Sequence, residues 1–289
     1  MTPAAEPLDA SGARRRLVLG ACGAALVTAA GRAAAQGRSL SFGVVPQQSA
    51  TELARAWVPV LALLAERCGI ALQFATAPDI PSFEQRLAAG VYDLAYMNPY
   101  HYTVFSRRPG YRAFAREKGR RLRGIVVVRK DARTEQLAGL SGQEIAFPAP
   151  AAFAATVLVR AELARQRIGV TPRFVGSHES VYLNVARGLV PAGGGIQRTL
   201  EGMAPEVRDA LRVLHTTQAY TPHAVAAHPR VPAPQVQTVL RAMLGLADEP
   251  RGREALKTIG FSGLEAGRDA DWDDVRALGI QTLASLLRD

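Results

Sequence analysis

The fold prediction depends on residues 90–102, GVYDLAYMNPYHY. The first glycine of this stretch ends a short predicted helix, residues 83–89. The strand predicted at residues 93–97 (DLAYM) follows, and its residues after Asp93 are apolar or aromatic, as is typical of a buried strand. Pro99 suits the first turn of a helix, so a second helix is predicted at residues 100–106. A strand between two helices indicates an α/β protein.

The same alternation extends toward the amino terminus. Residues 39–45 (SLSFGVV) form a strand candidate that ends at a proline, and residues 71–75 form another. Between them Leu53, Trp57 and Leu64 mark a helical apolar stripe that Pro59 interrupts, which indicates two short helices or one kinked helix. Repeated β-α-β units are typical of a largely parallel sheet with helical crossovers.

Two extended segments, residues 111–116 and 122–129, come next, and the alternation then restarts at residues 144–147. Further strands are predicted at residues 173–175, 211–216 and 224–227, and further helices at residues 153–167, 179–187, 234–247, 251–259 and 273–287. The restart after two extended crossings predicts a second β-α unit and therefore a second lobe.

The predicted fold is a two-lobed α/β protein with two open, mostly parallel sheets and helices on both faces. One lobe holds residues 39–128 and 220–289, the other holds residues 129–219, and two chain crossings form a hinge. Open α/β sheets bind ligands beyond the carboxyl ends of their strands, which here would face one cleft. This rule selects four loops, at residues 46–49, 98–102, 148–156 and 176–179.

These loops supply the candidate ligand-binding residues. They are Gln47, Tyr96, Asn98 and Tyr100 in the first lobe, and Phe153, Ala154, Thr156 and His178 in the second. Aromatic rings beside amide and imidazole groups can form a pocket wall with hydrogen-bonding tips. Structural alternatives remain open: the tyrosines could pack between helix and sheet, Phe153 could enter the core, and His178 could make a structural hydrogen bond. We expect His101 on a helix surface and Ser177 as a helix N-cap.

The sequence contains no recognisable catalytic or metal-binding pattern. Its histidines lack metal-ligand spacing, and neither a G-x-S-x-G elbow nor a Walker loop occurs. Gly193, Gly194 and Gly195 are interpreted as a turn near the cleft. We therefore expect a binding protein that is not an enzyme and that needs no cofactor and no metal.

The charge distribution argues against a nucleic-acid partner. The 35 Lys and Arg residues exceed the 25 Asp and Glu residues by 10. Apart from short runs at residues 14–16 and 120–123, the arginines are scattered among acids, whereas a nucleic-acid binder more often clusters its basic residues on one face. We interpret the charge as an effect of composition and solubility.

The first 35 residues have the order of a secretory signal. Basic residues 14–16 precede an apolar run, residues 17–30, and residues 33–35 (AAA) offer a cleavage site. The paired arginines resemble a twin-arginine signal, and an ordinary Sec signal is the alternative. A lipoprotein box at Cys22 would follow an unusually short apolar run. A secretory signal that is removed during export predicts a periplasmic protein.

The ordered segments of the chain resemble a known family. Residues 42–46 (FGVVP), 90–96 (GVYDLAY), 139–147 (GLSGQEIAF) and 175–178 (VGSH) are similar, in that order, to the phosphate/phosphite/phosphonate-type ABC transporter substrate-binding proteins. The resemblance spans roughly residues 40–259. It implies a type II periplasmic binding fold with a hinge, and delivery of a small-molecule ligand to a membrane permease.

Two positions depart from that family. Phosphonate-binding members usually carry Ser-Thr-Ser where this chain has Ala152, Phe153 and Ala154, and they tend to carry an acid where it has Pro191. A buried phosphonate needs several donors, because an unmet charge is costly to desolvate. The departure argues against a phosphonate ligand, although backbone amides could still bind an oxyanion.

The sequence leaves two roles open for the same fold. One is a monomeric receptor that serves an ABC permease, and the other is a receptor that presents its ligand to a membrane sensor kinase.

We predict that the mature chain begins at Gln36, because the basic, apolar and small segments place cleavage after Ala35. N-terminal sequencing of protein released from the periplasm should give Gln36 or a residue within a few positions. A periplasmic form that retains residues 14–16 would contradict export through this segment.

Overall fold

The computed structural model describes residues 1–2 and 39–284. The predicted export segment, apart from residues 1–2, and its cleavage position lie outside the described residues. The strands are β1 (Leu40–Val44), β2 (Leu72–Ala75), β3 (Leu94–Met97), β4 (Arg112–Glu117), β5 (Ile125–Arg129), β6 (Glu144–Phe147), β7 (Thr171–Phe174), β8 (Ala192–Gly195), β9 (Leu211–Thr216), β10 (Ala224–Ala227) and β11 (Leu264–Ala266).

Helices connect these strands in the predicted alternation. The α-helices are α1 (Ala50–Cys68), α2 (Ile80–Ala88), α3 (Pro99–Phe105), α4 (Val159–Arg165), α5 (His178–Ala186), α6 (Gln197–Glu201), α7 (Pro205–Arg208), α8 (Ala233–Leu244), α9 (Pro250–Thr258) and α10 (Asp273–Arg276). A π-helical segment, Phe153–Leu158, precedes α4, and 3₁₀ turns lie at Leu137–Leu140, Gly245–Asp248 and Asp269–Trp272.

The strands form two separate sheets. The six-stranded first sheet has the order β11-β4-β10-β3-β1-β2, and the five-stranded second sheet has the order β7-β6-β8-β5-β9. In the first sheet β10 and β11 oppose the other four strands, and in the second β5 opposes the other four. The predicted α/β architecture of two open sheets with helices is confirmed, and the sheets are mixed: among the described strands four neighbouring pairs are parallel and five are antiparallel.

The second sheet is buried on both faces, as strand β5 shows. Val126 and Val128 pack in one apolar cluster with residues of α4, whereas Ile125 and Val127 pack in another with residues of α5. Because successive side chains of a strand point to opposite faces, a continuous IVVV run needs cover on both sides. Burying each valine contributes roughly 1.5–3 kcal/mol of hydrophobic free energy.

Several predicted boundaries differ from the structure. Pro59 lies inside one continuous helix, α1, which Ser49 caps by accepting a hydrogen bond from Glu52 N at 3.3 Å. The predicted strand at 122–129 begins only at Ile125, because Leu122 is in a chain crossing. The helix predicted at 273–287 ends at Arg276, and residues 285–289 lie outside the described range.

Two crossings connect the sheets, residues 118–124 and 217–223. Leu122 and Tyr220 pair between them, with N–H···O distances of 2.7 and 2.8 Å. Among the described strands β5 pairs with β8 and β9 of the second sheet, although the predicted first lobe, residues 39–128, includes most of it. The division into two lobes itself stays a prediction.

The glycine run at residues 193–195 is a strand, so its interpretation as a turn was wrong. It lies in β8, at the centre of the second sheet between β6 and β5. A Cβ atom on Gly194 would overlap the carbonyl oxygen of Ala155, and one on Gly195 would overlap the hydroxyl of Tyr182. Glycine is needed here because the π-helical segment and α5 approach this strand closely.

We predict that Gly194→Ala lowers the free energy of unfolding by about 3 kcal/mol, because the neighbour that must move is backbone. Gly169→Ala is the matched control: no atom lies within 4 Å of its Cβ position, and its φ is not in the left-handed region. Chemical denaturation of both variants measures the difference. Equal stability of the two would show that β8 does not need a bare backbone.

Candidate ligand-binding site

Loops that follow strands of both sheets meet at one small cavity. Five predicted site residues line it: Gln47, Asn98, Phe153, Ala154 and His178. The other lining residues are Val45, Ile80, Leu122, Ala152, Ala155, Ile196 and His223. Its volume is about 10 Å³, which is roughly the space of one water molecule. The walls must move apart before anything larger can bind.

Asn98 connects the two sheets at this cavity. Its Oδ1 accepts from His101 N at 2.7 Å and caps α3, while its Nδ2 donates to the carbonyl oxygen of Ala151 at 3.1 Å. Ala151 lies in the loop after β6, so this hydrogen bond crosses from the first sheet to the second. The Asn98 side chain is 4% exposed, and separating the sheets would return its amide to water.

His178 supplies a polar group that the chain leaves unsatisfied. It begins α5 directly after Ser177, whose Oγ accepts from Ser180 N at 3.0 Å, as predicted for an N-cap. The ring is 2% exposed, and its Nδ1 has no hydrogen-bond partner among the described residues. Burial lowers the pKa of His178 to about 4, so the ring is neutral at pH 7. A buried nitrogen without a partner costs free energy that a hydrogen-bonding ligand would recover.

His223 also lines the cavity and was missed from the sequence. It precedes β10, and Ala224 pairs antiparallel with Met97 of β3, so His223 lies beside the loop that begins at Asn98. Ligand sites were predicted in loops beyond the carboxyl ends of parallel strands. His223 comes before an antiparallel strand, so this rule does not select it. Predicting His223 at the cavity would have required knowing that β10 pairs with β3.

His223 is held by its neighbours. Gln47 Nε2 donates to its Nε2 at 3.1 Å, which leaves the ring proton on Nδ1. Tyr96 stacks on the ring with centroids 4.9 Å apart, and Trp57 packs behind Tyr96 at 4.8 Å. Burial, and then the positive charge of Arg198, hold the pKa of His223 well below its usual range. Tyr96 therefore supports the wall of the cavity from behind and does not line it.

Three polar groups have structural partners away from the cavity. The hydroxyl of Tyr100 accepts from Leu283 N at 2.8 Å, and Thr156 Oγ1 donates to Ala149 O at 2.8 Å. The prediction that His101 lies on a helix surface was wrong: it is fully buried, with Nε2 2.9 Å from Glu84 Oε1. The reason is that α3 packs between α2 and α10, which leaves it no exposed face.

A larger pocket of about 350 Å³ adjoins the small cavity and shares four wall residues with it. An ion pair between the sheets lies at its edge: Nη2 of Arg198, on α6, is 2.6 Å from both carboxylate oxygens of Glu117, on β4. Desolvation opposes the charged form of Arg198, but Tyr96 and Glu117 outweigh it and raise its pKa. The Arg198 guanidinium also lies over the Phe261 ring, 4.9 Å from its centroid.

The described residues contain neither a cluster of metal ligands nor a helix that could span a membrane. In residues 1–2 and 39–284, no three His, Cys, Asp or Glu side chains come together as ligands for a metal ion. Within the same part of the chain, no helix is both long enough and apolar enough to cross a membrane.

Comparison with known proteins identifies the family. The family model described as "ABC transporter, phosphonate, periplasmic substrate-binding protein" matches residues 42–272. The chain belongs to this family. The resemblance found in the four sequence segments is confirmed, and this phosphonate-type family consists of periplasmic binding components of ABC transporters.

Solved structures share the fold of this phosphonate-type family member. A binding-protein component of an ABC phosphonate transporter from Pseudomonas aeruginosa has a TM-score of 0.77 and 16% identity, with 84% of this chain and 86% of that chain covered. PhnD1 from Prochlorococcus marinus, in complex with methylphosphonate, has a TM-score of 0.76 and 14% identity, with coverage of 83% and 97%. A Xanthomonas citri protein bound to ATP has a TM-score of 0.65 and 18% identity, with coverage of 86% and 98%.

We predict that stability falls between pH 6.5 and pH 4 because His178 is buried neutral. In this window the unfolded chain binds a proton that the folded chain excludes, so the free energy of unfolding decreases as the pH falls. The contribution is fully present above about pH 6.5, and its loss near pH 4 is on the order of 3 kcal/mol.

His178→Gln removes this titration and should decline less over the same range, measured by urea denaturation at each pH. His215→Gln, a partly exposed histidine in β9, is the matched control. Parallel pH profiles for wild type and His178→Gln would show that the ring is not held neutral by burial.

Proposed function

We propose that this chain captures a small ligand between its two sheets in the periplasm and delivers it to an ABC permease. The observation that supports this most directly is the meeting of loops from both sheets at one cavity. Asn98 follows β3 of the first sheet, whereas Phe153 and His178 follow β6 and β7 of the second. Ligand contacts from both sheets are possible only when the sheets lie together.

The proposed mechanism is hinge closure. Residues 118–124 and 217–223 are the crossings between the sheets, so rotation about them is the motion that disrupts least secondary structure. Opening would break the Asn98–Ala151 hydrogen bond and the Arg198–Glu117 ion pair. A ligand that contacts both sheets favours the closed arrangement by its difference in affinity for the two arrangements.

The proposed ligand contacts are Gln47, Asn98, Phe153, Ala154 and His178, with His223 added and Tyr96 as its support. The hydroxyls of Tyr100 and Thr156 hydrogen-bond to the backbone, which supports structural roles for these two. We further propose that the chain is a monomer, that it leaves its ligand chemically unchanged, and that residues 1–35 direct export by the twin-arginine or Sec route and are removed near Ala35.

Two structural relatives suggest the first probes. The Prochlorococcus protein is in complex with methylphosphonate and the Xanthomonas protein is bound to ATP, and both compounds carry phosphorus oxyanions. Methylphosphonate, phosphate, small carboxylates and amines therefore form the panel for a thermal-shift screen of the mature chain, and mass spectrometry of co-purified ligand extends that panel.

We predict that His178→Ala weakens binding of the selected ligand about tenfold, because a buried hydrogen bond contributes roughly 1–1.5 kcal/mol. Titration can follow tryptophan fluorescence, since Trp57 contacts the wall of the cavity through Tyr96. His228→Ala, outside the cavity, is the matched control and should bind as wild type does. If His178→Ala binds the ligand with unchanged affinity, the ligand does not bind at the proposed site.

Delivery is tested in cells from which the chain has been deleted. Accumulation of the labelled ligand should stop and should return with the wild-type chain, but return poorly with His178→Ala at limiting ligand concentration. Uptake that persists at full rate without the chain would contradict a role in transport.

A further inference from the structure

The larger pocket lies where the two crossings meet α6. Its volume is about 350 Å³, and it shares Gln47, Leu122, Ile196 and His223 with the small cavity. The charged residues in its lining are Glu117, Arg120, Arg121, Arg123 and Arg198. Its size is that of pockets that enclose small organic molecules.

The lining of this arginine pocket is strongly positive. Four arginines and one acid, Glu117, line it; Arg198 pairs with Glu117 at 2.6 Å and Arg121 pairs with Asp274 outside the lining at 2.9 Å, which leaves Arg120 and Arg123 without an ion pair among the described residues. Like charges brought together in a concave site raise the local concentration of anions. The sequence contained this signal as the basic run 120–123, which was interpreted as composition and solubility because its fold position was unknown.

Two of the arginines are held in place by the crossings. Arg121 Nη2 donates to the carbonyl oxygen of Ala219 at 3.2 Å, and Arg123 Nη1 donates to that of Thr217 at 2.9 Å. Arg121 also forms an ion pair with Asp274 of α10 at 2.9 Å. Among the described residues, Arg120 has no ion pair or hydrogen bond, so its whole guanidinium remains available. A guanidinium presents five donors in a planar fork that fits carboxylate and phosphate groups, so each of these arginines keeps donors for a ligand.

The small cavity, in contrast, is poorly suited to negative charge. Ala152, Phe153 and Ala154 provide no hydroxyl there, and both of its histidines are neutral at pH 7. An anion buried against them alone would leave much of its charge unpaired, which is costly. The adjoining arginine pocket supplies the charge that this wall lacks.

The arginine pocket also has an apolar part. Leu122, Ile125, Ile196 and Pro222 lie in the same lining as the guanidinium groups. An ion of the size of phosphate or methylphosphonate would fill little of this volume and would leave these side chains uncovered. A molecule with a carbon skeleton and several separated charges can contact both kinds of surface.

We infer that the arginine pocket binds the negative charges of the transported ligand, and that this ligand is a small organic anion with two or more negative charges. The shared chemistry is a multivalent oxyanion on a carbon skeleton, either a di- or tricarboxylate or an organophosphate. The inference rests on the proposed function and assigns a substrate class to it. In this account the guanidinium groups at the crossings supply the anion contacts that Ala152, Phe153 and Ala154 cannot make without hydroxyl groups.

The test is calorimetric titration of the mature chain with four probes: citrate, glycerol 3-phosphate, methylphosphonate and uncharged glycerol. Citrate or glycerol 3-phosphate should bind at least tenfold more tightly than methylphosphonate, and glycerol should not bind. Whichever of citrate and glycerol 3-phosphate binds more tightly shows whether the ligand's charges are carboxylates or a phosphate. Its affinity should fall severalfold when NaCl is raised from 20 to 200 mM, because exposed charges are screened.

Arg120→Gln should weaken binding of the more tightly bound anion about tenfold. Thermal stability should not change, because Arg120 forms no ion pair or hydrogen bond with another described residue. The matched control is Arg55→Gln, an exposed arginine on α1 outside the pocket, which should bind as wild type does. This pair separates loss of a local contact from loss of overall positive charge.

The inference is overturned if neither citrate nor glycerol 3-phosphate binds, if methylphosphonate binds as tightly as they do, or if Arg120→Gln and Arg55→Gln behave alike. Each of these results leaves the proposed function to be decided by the His178→Ala titration and the uptake measurement. Loss of binding in His178→Ala with normal binding in Arg120→Gln would place the ligand in the small cavity alone.

Discussion

The backbone pairing of Leu122 with Tyr220 is the constraint on which the rest of the structure depends. It joins the two crossings into a short ribbon between the sheets, and Thr217 extends it by accepting from Gly124 N through Oγ1 at 2.9 Å. The ribbon lies directly before β5 and β10, and Arg120 and Arg123 on it line the arginine pocket. One feature of the backbone therefore sets both the axis of the proposed hinge and the positive charge beside the candidate ligand site.

Apolar and polar contacts both connect the two sheets: Phe153 and Ile196, which follow strands of the second sheet, belong to the same apolar cluster as Tyr96 of the first. The Asn98–Ala151 hydrogen bond and the Arg198–Glu117 ion pair hold the sheets together, and each would be exchanged for water contacts on opening. Such exchanges have small net free energies, because water replaces most of the lost interaction. His178 adds a buried ring nitrogen that has no hydrogen-bond partner among the described residues. These small net free energies support the proposal that the two sheets separate and that a bound ligand favours their closure.

Local sequence signals predicted the β-α units well, and tertiary pairing explains what they missed. The strand at residues 144–147 and the Ser177 cap were predicted because they depend on residues close in sequence. The glycines of β8 were misassigned because their need for a bare backbone comes from Ala155 and Tyr182 packing against them. His223 lies at the small cavity because β10 pairs antiparallel with β3, and Arg198 lies in the arginine pocket because it is on the short helix α6. Nothing in the neighbouring residues of either one indicates that position.

The most direct test of capture between the sheets is the radius of gyration of the mature chain, measured by small-angle X-ray scattering with and without saturating ligand. If the ligand closes the cleft about the crossings, the radius of gyration should decrease on binding, and the decrease should be absent in His178→Ala at a concentration that this variant does not bind. A radius of gyration unchanged by saturating ligand in the wild-type chain would contradict hinge closure.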